Sequence, residues 1–191
     1  MDDSALITEV APGLFIGCAP DAPVFENKDI LSPCGITHVL NCARECDDLD
    51  TSVFTRLQAY RRLDMQDSKR FPIEDTWCDG LSFVDEALRA DGKVLVHCVM
   101  GRSRSAAMLL YCQLHGAGGR EPLTLRAAYH ALFQARHGNV GVNFGFFEKL
   151  IAEDTTMWGV ASVTMDEYSR IIDESVADPL PGDVPRVFPE D

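Results

Sequence analysis

The residues with the most chemistry to offer lie in one stretch, VLVHCVMGRSRSAAMLLY, residues 94–111. A short apolar run ends in His97 and Cys98. A loop carrying Gly101, Arg102, Ser103 and Arg104 follows, and Ser105 leads into small and apolar residues of helical character. A strand feeding a glycine-containing loop and then a helix makes an anion nest. The loop N–H groups converge, and the helix N-terminus adds about half a positive charge. Here the converging amides are those of Val99, Met100, Gly101, Arg102, Ser103 and Arg104. Gly101 permits a backbone conformation that a side chain disfavours. Arg104 closes the ring with a planar fork suited to two phosphate oxygens. Free thiols titrate near 8.5, and helix N-termini and nearby cations lower this to roughly 3.5–7.5. The field that binds phosphate is therefore expected to ionise Cys98, placing a nucleophile in line with phosphorus. The loop donors would stay on the equatorial oxygens through the transition state.

The Cys-x5-Arg spacing, with His97 before the cysteine and Ser105 after the arginine, resembles the signature of the protein tyrosine phosphatases. HCVMGRSRS (97–105) is similar to their dual-specificity branch, of the small atypical type. GLFIG (13–17), GITHVLN (35–41) and VNFGFFEKL (142–150) resemble that family's other segments in order, so the resemblance covers roughly residues 7–152. Phosphotyrosine-only members resemble HCSAGxGRTG, with a second glycine where this chain has Ser103, and carry a Trp-Pro-Asp loop absent here.

The resemblance implies an α/β fold with a central mixed β-sheet flanked by α-helices. It also implies hydrolysis of phosphotyrosine and phosphoserine/threonine in proteins through a cysteinyl-phosphate, with no cofactor and no metal. Among site residues it implies a general acid upstream of the cysteine. Asp67, 31 residues before Cys98 in YRRLDMQDS, matches that place. Asp64 and Asp75 compete for it, and Asp64 falls where a strand should still be running. Ser105 would stabilise the leaving thiolate, and His97 would orient the loop. Asn143 matches an asparagine that braces the loop, preceded by Val142 where proline is common. Arg102 reads equally as a substrate contact at the rim or as a solvated charge. Cys42 reads as a packed thiol; in some relatives a cysteine near this point forms a reversible disulfide with the nucleophile. Two other functions remain open: a same-fold phosphatase acting on phosphoinositide or RNA 5′-phosphate, and a catalytically silent phosphoprotein-binding module.

Bulk properties narrow the field. The chain has 191 residues and a net charge of -13, with -8 carried by residues 153–191. Such a chain repels a nucleic-acid backbone, so nucleic acid is not an expected partner. No apolar run approaches the roughly 18 residues of a membrane span, and the acidic MDDSALITEV start lacks a secretory pattern. Seven cysteines, an odd number, point to reduced thiols and a cytosolic protein, with nuclear entry also open. Cys42 and Cys46 lack the second pair a zinc site needs, and His38, His115, His130 and His137 show no metal spacing. Arg61, Arg62, Lys69 and Arg70 form a local basic patch, read either as solvation or as steering for acidic substrate.

The elements that must position these residues follow from pattern. Residues 1–9 read as a loose arm, and a strand pair surrounds the Pro12-Gly13 turn. FENKDILSPCG reads as a short helix, Ile36–Ala43 and Ala59–Met65 as strands, and VLVH as the buried central strand. Trp77, Leu81, Val84 and Leu88 mark one helix face, and residues 103–115 form the next helix. Thr124 caps a helix with Leu125, Ala128, Tyr129, Leu132 and Phe133 on one face. Phe144, Phe147 and Ile151 mark another. Thr164-Met165-Asp166-Glu167 is a capping box, with Val163 and Tyr168 as a hydrophobic staple. Residues 10–177 thus read as one catalytic domain with an added helix at about 164–177, followed by an acidic, proline-rich tail at 178–191.

Overall fold

A computed structural model describes residues 7–18, 34–46 and 56–176. The expected helix of FENKDILSPCG, residues 1–6 of the arm and the 178–191 tail lie almost wholly or entirely outside the described residues.

Among the described residues, five strands form one mixed sheet. They are β1 (Ile7–Ala11), β2 (Leu14–Gly17), β3 (His38–Asn41), β4 (Ala59–Arg62) and β5 (Val94–His97). Their order across the sheet is β1-β2-β5-β3-β4. β1 and β2 pair antiparallel, and β2, β5, β3 and β4 run parallel. Gly13, at φ 74, makes the hairpin turn, and the Glu9 carboxylate accepts from its N–H. Ile7–Glu9 therefore belong to the sheet rather than to a loose arm, because their ladder with β2 satisfies their backbone. β5 is central and buried at all four positions, as its unbroken apolar run predicts. β4 stops at Arg62, three residues short of the expected end.

Among the described residues, five helices follow: α1 (Glu74–Arg89), α2 (Arg104–Leu114), α3 (Leu125–Ala135), α4 (Phe144–Trp158) and α5 (Met165–Val176). Strand alternation splits the sheet's side chains between two faces. Leu14, Ile16, Leu40, Val94 and Val96 join the main core with residues of all five helices. Phe15, Val39 and Leu95 form a smaller cluster with Ile7 and Ile36 on the other face.

α2 is buried nearly all round, so it is the central helix rather than an amphipathic one. The buried face of α1 is Trp77, Gly80, Phe83, Val84 and Ala87, while Leu81 and Leu88 are only partly buried. The expected stripe is rotated because Gly80 sits against Met108: a Cβ there would lie 2.5 Å from the Met108 sulfur. The missing side chain lets α1 and α2 approach closely.

Capping is explicit. Thr124 Oγ1 accepts from the Ala127 N–H, and Asn143 Oδ1 from the Phe146 N–H. Gly159, at φ 79, ends α4 in the left-handed conformation. Buried Asp154 accepts from the Leu125 and Ser162 N–H groups, tying α4 to the start of α3 and to the approach to α5. Thr164 and Glu167 exchange capping-box hydrogen bonds at the start of α5. None of the described helices is long and apolar enough to cross a membrane.

Candidate active site

The site is built where β5 ends and α2 begins. Cys98 follows the last residue of β5 and is 2% exposed. The chain then turns through residues 99–103 and enters α2 at Arg104. Gly101 has φ 65, and a Cβ on it would stand 2.5 Å from the Gly17 carbonyl oxygen. Both the conformation and the close approach to the end of β2 require glycine. Val99 and Met100 are exposed, Arg102 is half-buried, and Ser103, Arg104 and Ser105 are buried. The Cys98 sulfur lies 3.2 Å from Ser105 Oγ, where a hydroxyl proton can stabilise negative charge on sulfur. His97 is buried at the end of β5, and its carbonyl accepts from the Cys42 N–H, holding the β3 end beside the loop.

Arg104 has one edge committed and one open. Its Nη1 donates to Glu45 Oε2 at 2.6 Å and to the Met65 carbonyl at 3.3 Å. Its Nε is buried with no hydrogen-bond partner among the described residues. An uncompensated buried donor is costly, and an oxyanion oxygen is the kind of group that would satisfy it. The Arg104–Glu45 hydrogen bond holds the Glu45 carboxyl below its usual range, although partial burial opposes it.

Asp67 comes to this edge; Asp64 and Asp75 do not. Ser103 Oγ donates to Asp67 Oδ1 at 2.6 Å, and Asn143 Nδ2 donates to the same oxygen at 2.6 Å. The other oxygen, Oδ2, lies 3.9 Å from Arg104 Nε. Asp64 is exposed and pairs with Arg62, and Asp75 lies exposed in the first turn of α1. Two donors thus meet on Oδ1, while Oδ2 faces the Arg104 Nε edge. The Asn143 N–H donates to Ser103 Oγ at 3.1 Å, and the Gly141 N–H to the Arg102 carbonyl at 3.1 Å. The segment before α4 thus braces the loop from outside.

Three of these contributors carry no signal in sequence spacing. Glu45 stands in a polar run, Met65 acts through its carbonyl, and the Ser103 side chain is a hub rather than a helix cap. Cys42 is fully buried; burial first, then the neighbouring Cys98, pushes its thiol well above its usual value, as for a packed thiol. In the basic patch, Arg61 pairs with Asp79 and lies over the Phe83 ring, and Arg62 pairs with Asp64, leaving Lys69 and Arg70 as its exposed members nearest Asp67 in the chain. Among the described residues, no group of His, Cys, Asp and Glu is placed to hold a metal.

Buried Cys98 thus lies at the start of the loop that leads to Arg104, with the braced Asp67 carboxylate at the loop's edge. The sequence model described as the dual specificity phosphatase catalytic domain matches residues 14–156. The chain belongs to that family. It is 30% identical over 147 residues to mouse dual specificity protein phosphatase 2, covering 77% of this chain and 42% of that one. It is 29% identical over 157 residues to dual specificity protein phosphatase 1B of Arabidopsis thaliana, covering 81% and 86%. The chain spans less than half the length of the first curated relatives it matches, 26% to 43%. Among solved structures, human DUSP28 superposes with a TM-score of 0.67 at 25% identity, covering 79% of this chain and 94% of that one.

Proposed function

We propose that this chain is a protein phosphatase that hydrolyses phosphotyrosine and phosphoserine/threonine through a cysteinyl-phosphate. The observation that carries the reading is the open Arg104 edge facing an Asp67 whose orientation Ser103 and Asn143 fix. In the first step the Cys98 sulfur forms a bond to phosphorus as the bond to the leaving oxygen breaks. Asp67 Oδ2 passes its proton to that oxygen. The amides of residues 99–104 and the Arg104 fork hold the equatorial oxygens. In the second step a water attacks phosphorus and gives a proton to Asp67. The S–P bond breaks, Ser105 stabilises the departing sulfur, and inorganic phosphate leaves. No step calls for a cofactor. None of the seven cysteines is in a disulfide, which fits a reducing compartment such as the cytosol.

The test is turnover of phosphotyrosine, phosphoserine and phosphothreonine peptides, phosphoinositides and aryl phosphates, for wild type, Cys98→Ser and Asp67→Ala. Cys98→Ser is expected to abolish turnover while retaining phosphopeptide binding. Asp67→Ala should lower kcat by roughly 10²–10⁴ for a poor leaving group and much less for 4-nitrophenyl phosphate. Activity unchanged in Cys98→Ser, or abolished by a chelator, defeats the mechanism. Phosphopeptide binding by wild type without any turnover assigns a silent binding module instead.

A further inference from the structure

We propose that Tyr168, on α5, is a positioning residue for the Asp67 side chain, acting through a single peptide plane; this rests on the reading of Asp67 as proton donor. Tyr168 is 0% exposed. Its ring stacks on Phe147 at 3.5 Å and 7° and meets Tyr129 and Phe144 edge-on. The Tyr168 hydroxyl donates to the Val142 carbonyl.

That carbonyl and the Asn143 N–H belong to the same planar peptide unit. The Asn143 N–H donates to Ser103 Oγ, and Ser103 Oγ donates to Asp67 Oδ1. One rigid plane is therefore held at its oxygen by Tyr168 and at its nitrogen by the catalytic loop. A donor on the carbonyl also polarises the N–H of that plane, strengthening the next bond in the chain. The same plane sets the start of the Asn143 side chain, which is the second donor to Asp67 Oδ1. Burial pushes the Tyr168 phenol up, so it remains a donor at any working pH.

α5 itself is anchored from outside the site, by its capping box and by an Arg126–Glu167 ion pair at 2.7 Å. The family match ends at residue 156, before α5 begins. The added helix thus fixes the peptide that orients the acid.

Tyr168→Phe keeps the ring stack and deletes only the donor. The expected result is a roughly fivefold lower kcat on phenyl phosphate, with kcat on 4-nitrophenyl phosphate and the rate of Cys98 alkylation essentially unchanged. In an Asp67→Ala background the same substitution should cost nothing further. p-Aminophenylalanine at position 168, which restores a donor, should recover the lost activity. Ser103→Ala, which cuts the chain one link further on, should give a leaving-group-selective loss that is not additive with Tyr168→Phe. It decides the matter if Tyr168→Phe does not fold, as a loss equal on both substrates would then overturn the proposal. Equal losses on both substrates in Tyr168→Phe, no loss, or a loss that persists undiminished without Asp67 overturn it too. A selective loss in Asp67→Ala without one in Tyr168→Phe removes this proposal alone. No selective loss in Asp67→Ala removes the acid assignment itself.

Discussion

Gly145 offers a steric test of how the Asp67 carboxylate is held. It is the second residue of α4, and an added Cβ would stand 2.2 Å from the Lys69 carbonyl oxygen and 2.7 Å from its Cα. Both are backbone atoms, so no side chain can swing away. Reaching even the 3.0 Å below which real Cβ contacts essentially never fall requires a shift of at least 0.8 Å. Lys69 is two residues beyond Asp67, whose bonds to Ser103 and Asn143 are both 2.6 Å. A shift of that size takes each to the limit of a hydrogen bond. Misplacing a reacting group by about 1 Å costs on the order of 10²-fold. Helix propensity works the other way, since alanine is favoured over glycine by up to about 1 kcal/mol, and this offsets part of the steric cost to stability. For Gly145→Ala we therefore expect kcat on phenyl phosphate to fall by roughly 10–10²-fold. On 4-nitrophenyl phosphate, whose leaving group needs no proton, it should fall by less than about threefold. The thermal midpoint should move by no more than about 4 °C. Full activity on phenyl phosphate, or an equal loss on both substrates, would refute the reasoning that the α4 start positions Asp67.

Two carboxylates give further tests. Glu45→Gln keeps an acceptor for Arg104 Nη1 but removes its charge, and kcat/KM at neutral pH should fall about three- to tenfold. The Glu45 carboxyl is held below its ordinary range, so its stabilising effect is full above the unfolded value near about 4.3 and is lost as pH falls through the lower folded value. Denaturation midpoints of wild type and Glu45→Gln should therefore converge as pH drops below about 4. Glu167, bonded to Arg126 and to Thr164, has its carboxyl lowered to about 2. Its contribution is likewise full above the unfolded carboxylate range and lost toward pH 2. The gap in thermal midpoint between wild type and Glu167→Gln should be complete at neutral pH and closed at the acid end; a gap independent of pH would refute the capping assignment.

The parts of this molecule legible in sequence are those made by neighbours in the chain. The strand, loop and helix from Val94 to Leu114 are contiguous, so apolar run, Gly101 and Arg104 could be read in order. Thr124 announces itself as a cap because a cap acts within three residues. Glu45 was not legible as the Arg104 partner, because the two are 59 residues apart and meet only through the sheet order. The same holds for Ser103 with Asp67, 36 apart. The face of α1 was read one step off because apolar spacing ignores what a glycine permits, and Gly80 lets α2 approach where a larger residue would hold it away. Tyr168 was legible as a staple from its position in the capping box, but nothing in its spacing pointed to the Val142 carbonyl.

On the proposed reading, the charge arithmetic of the site accounts for anion binding by a chain of net -13. Glu45 at 2.6 Å already balances the Arg104 guanidinium, and Asp67 stands 3.9 Å from its other side. Arg104 alone therefore leaves little surplus positive charge, and its open Nε acts chiefly as a directed donor. Positive potential at the loop then comes from the amides of residues 99–104 and the N-terminus of α2, with half-buried Arg102 and buried Arg136 nearby. Arg136 lies close enough for its charge to be felt at Cys98 and Arg102, and although burial lowers its pKa first, an arginine remains charged at working pH. Buried charges and fixed dipoles are weakly screened, whereas exposed acidic groups are screened beyond about 8 Å at physiological salt. On the proposed reading, surface charge therefore governs how a substrate approaches, and the buried loop governs what it binds. On that reading the two Arg104 carboxylate contacts act as aim rather than as loss: they fix which edge of the fork stays open.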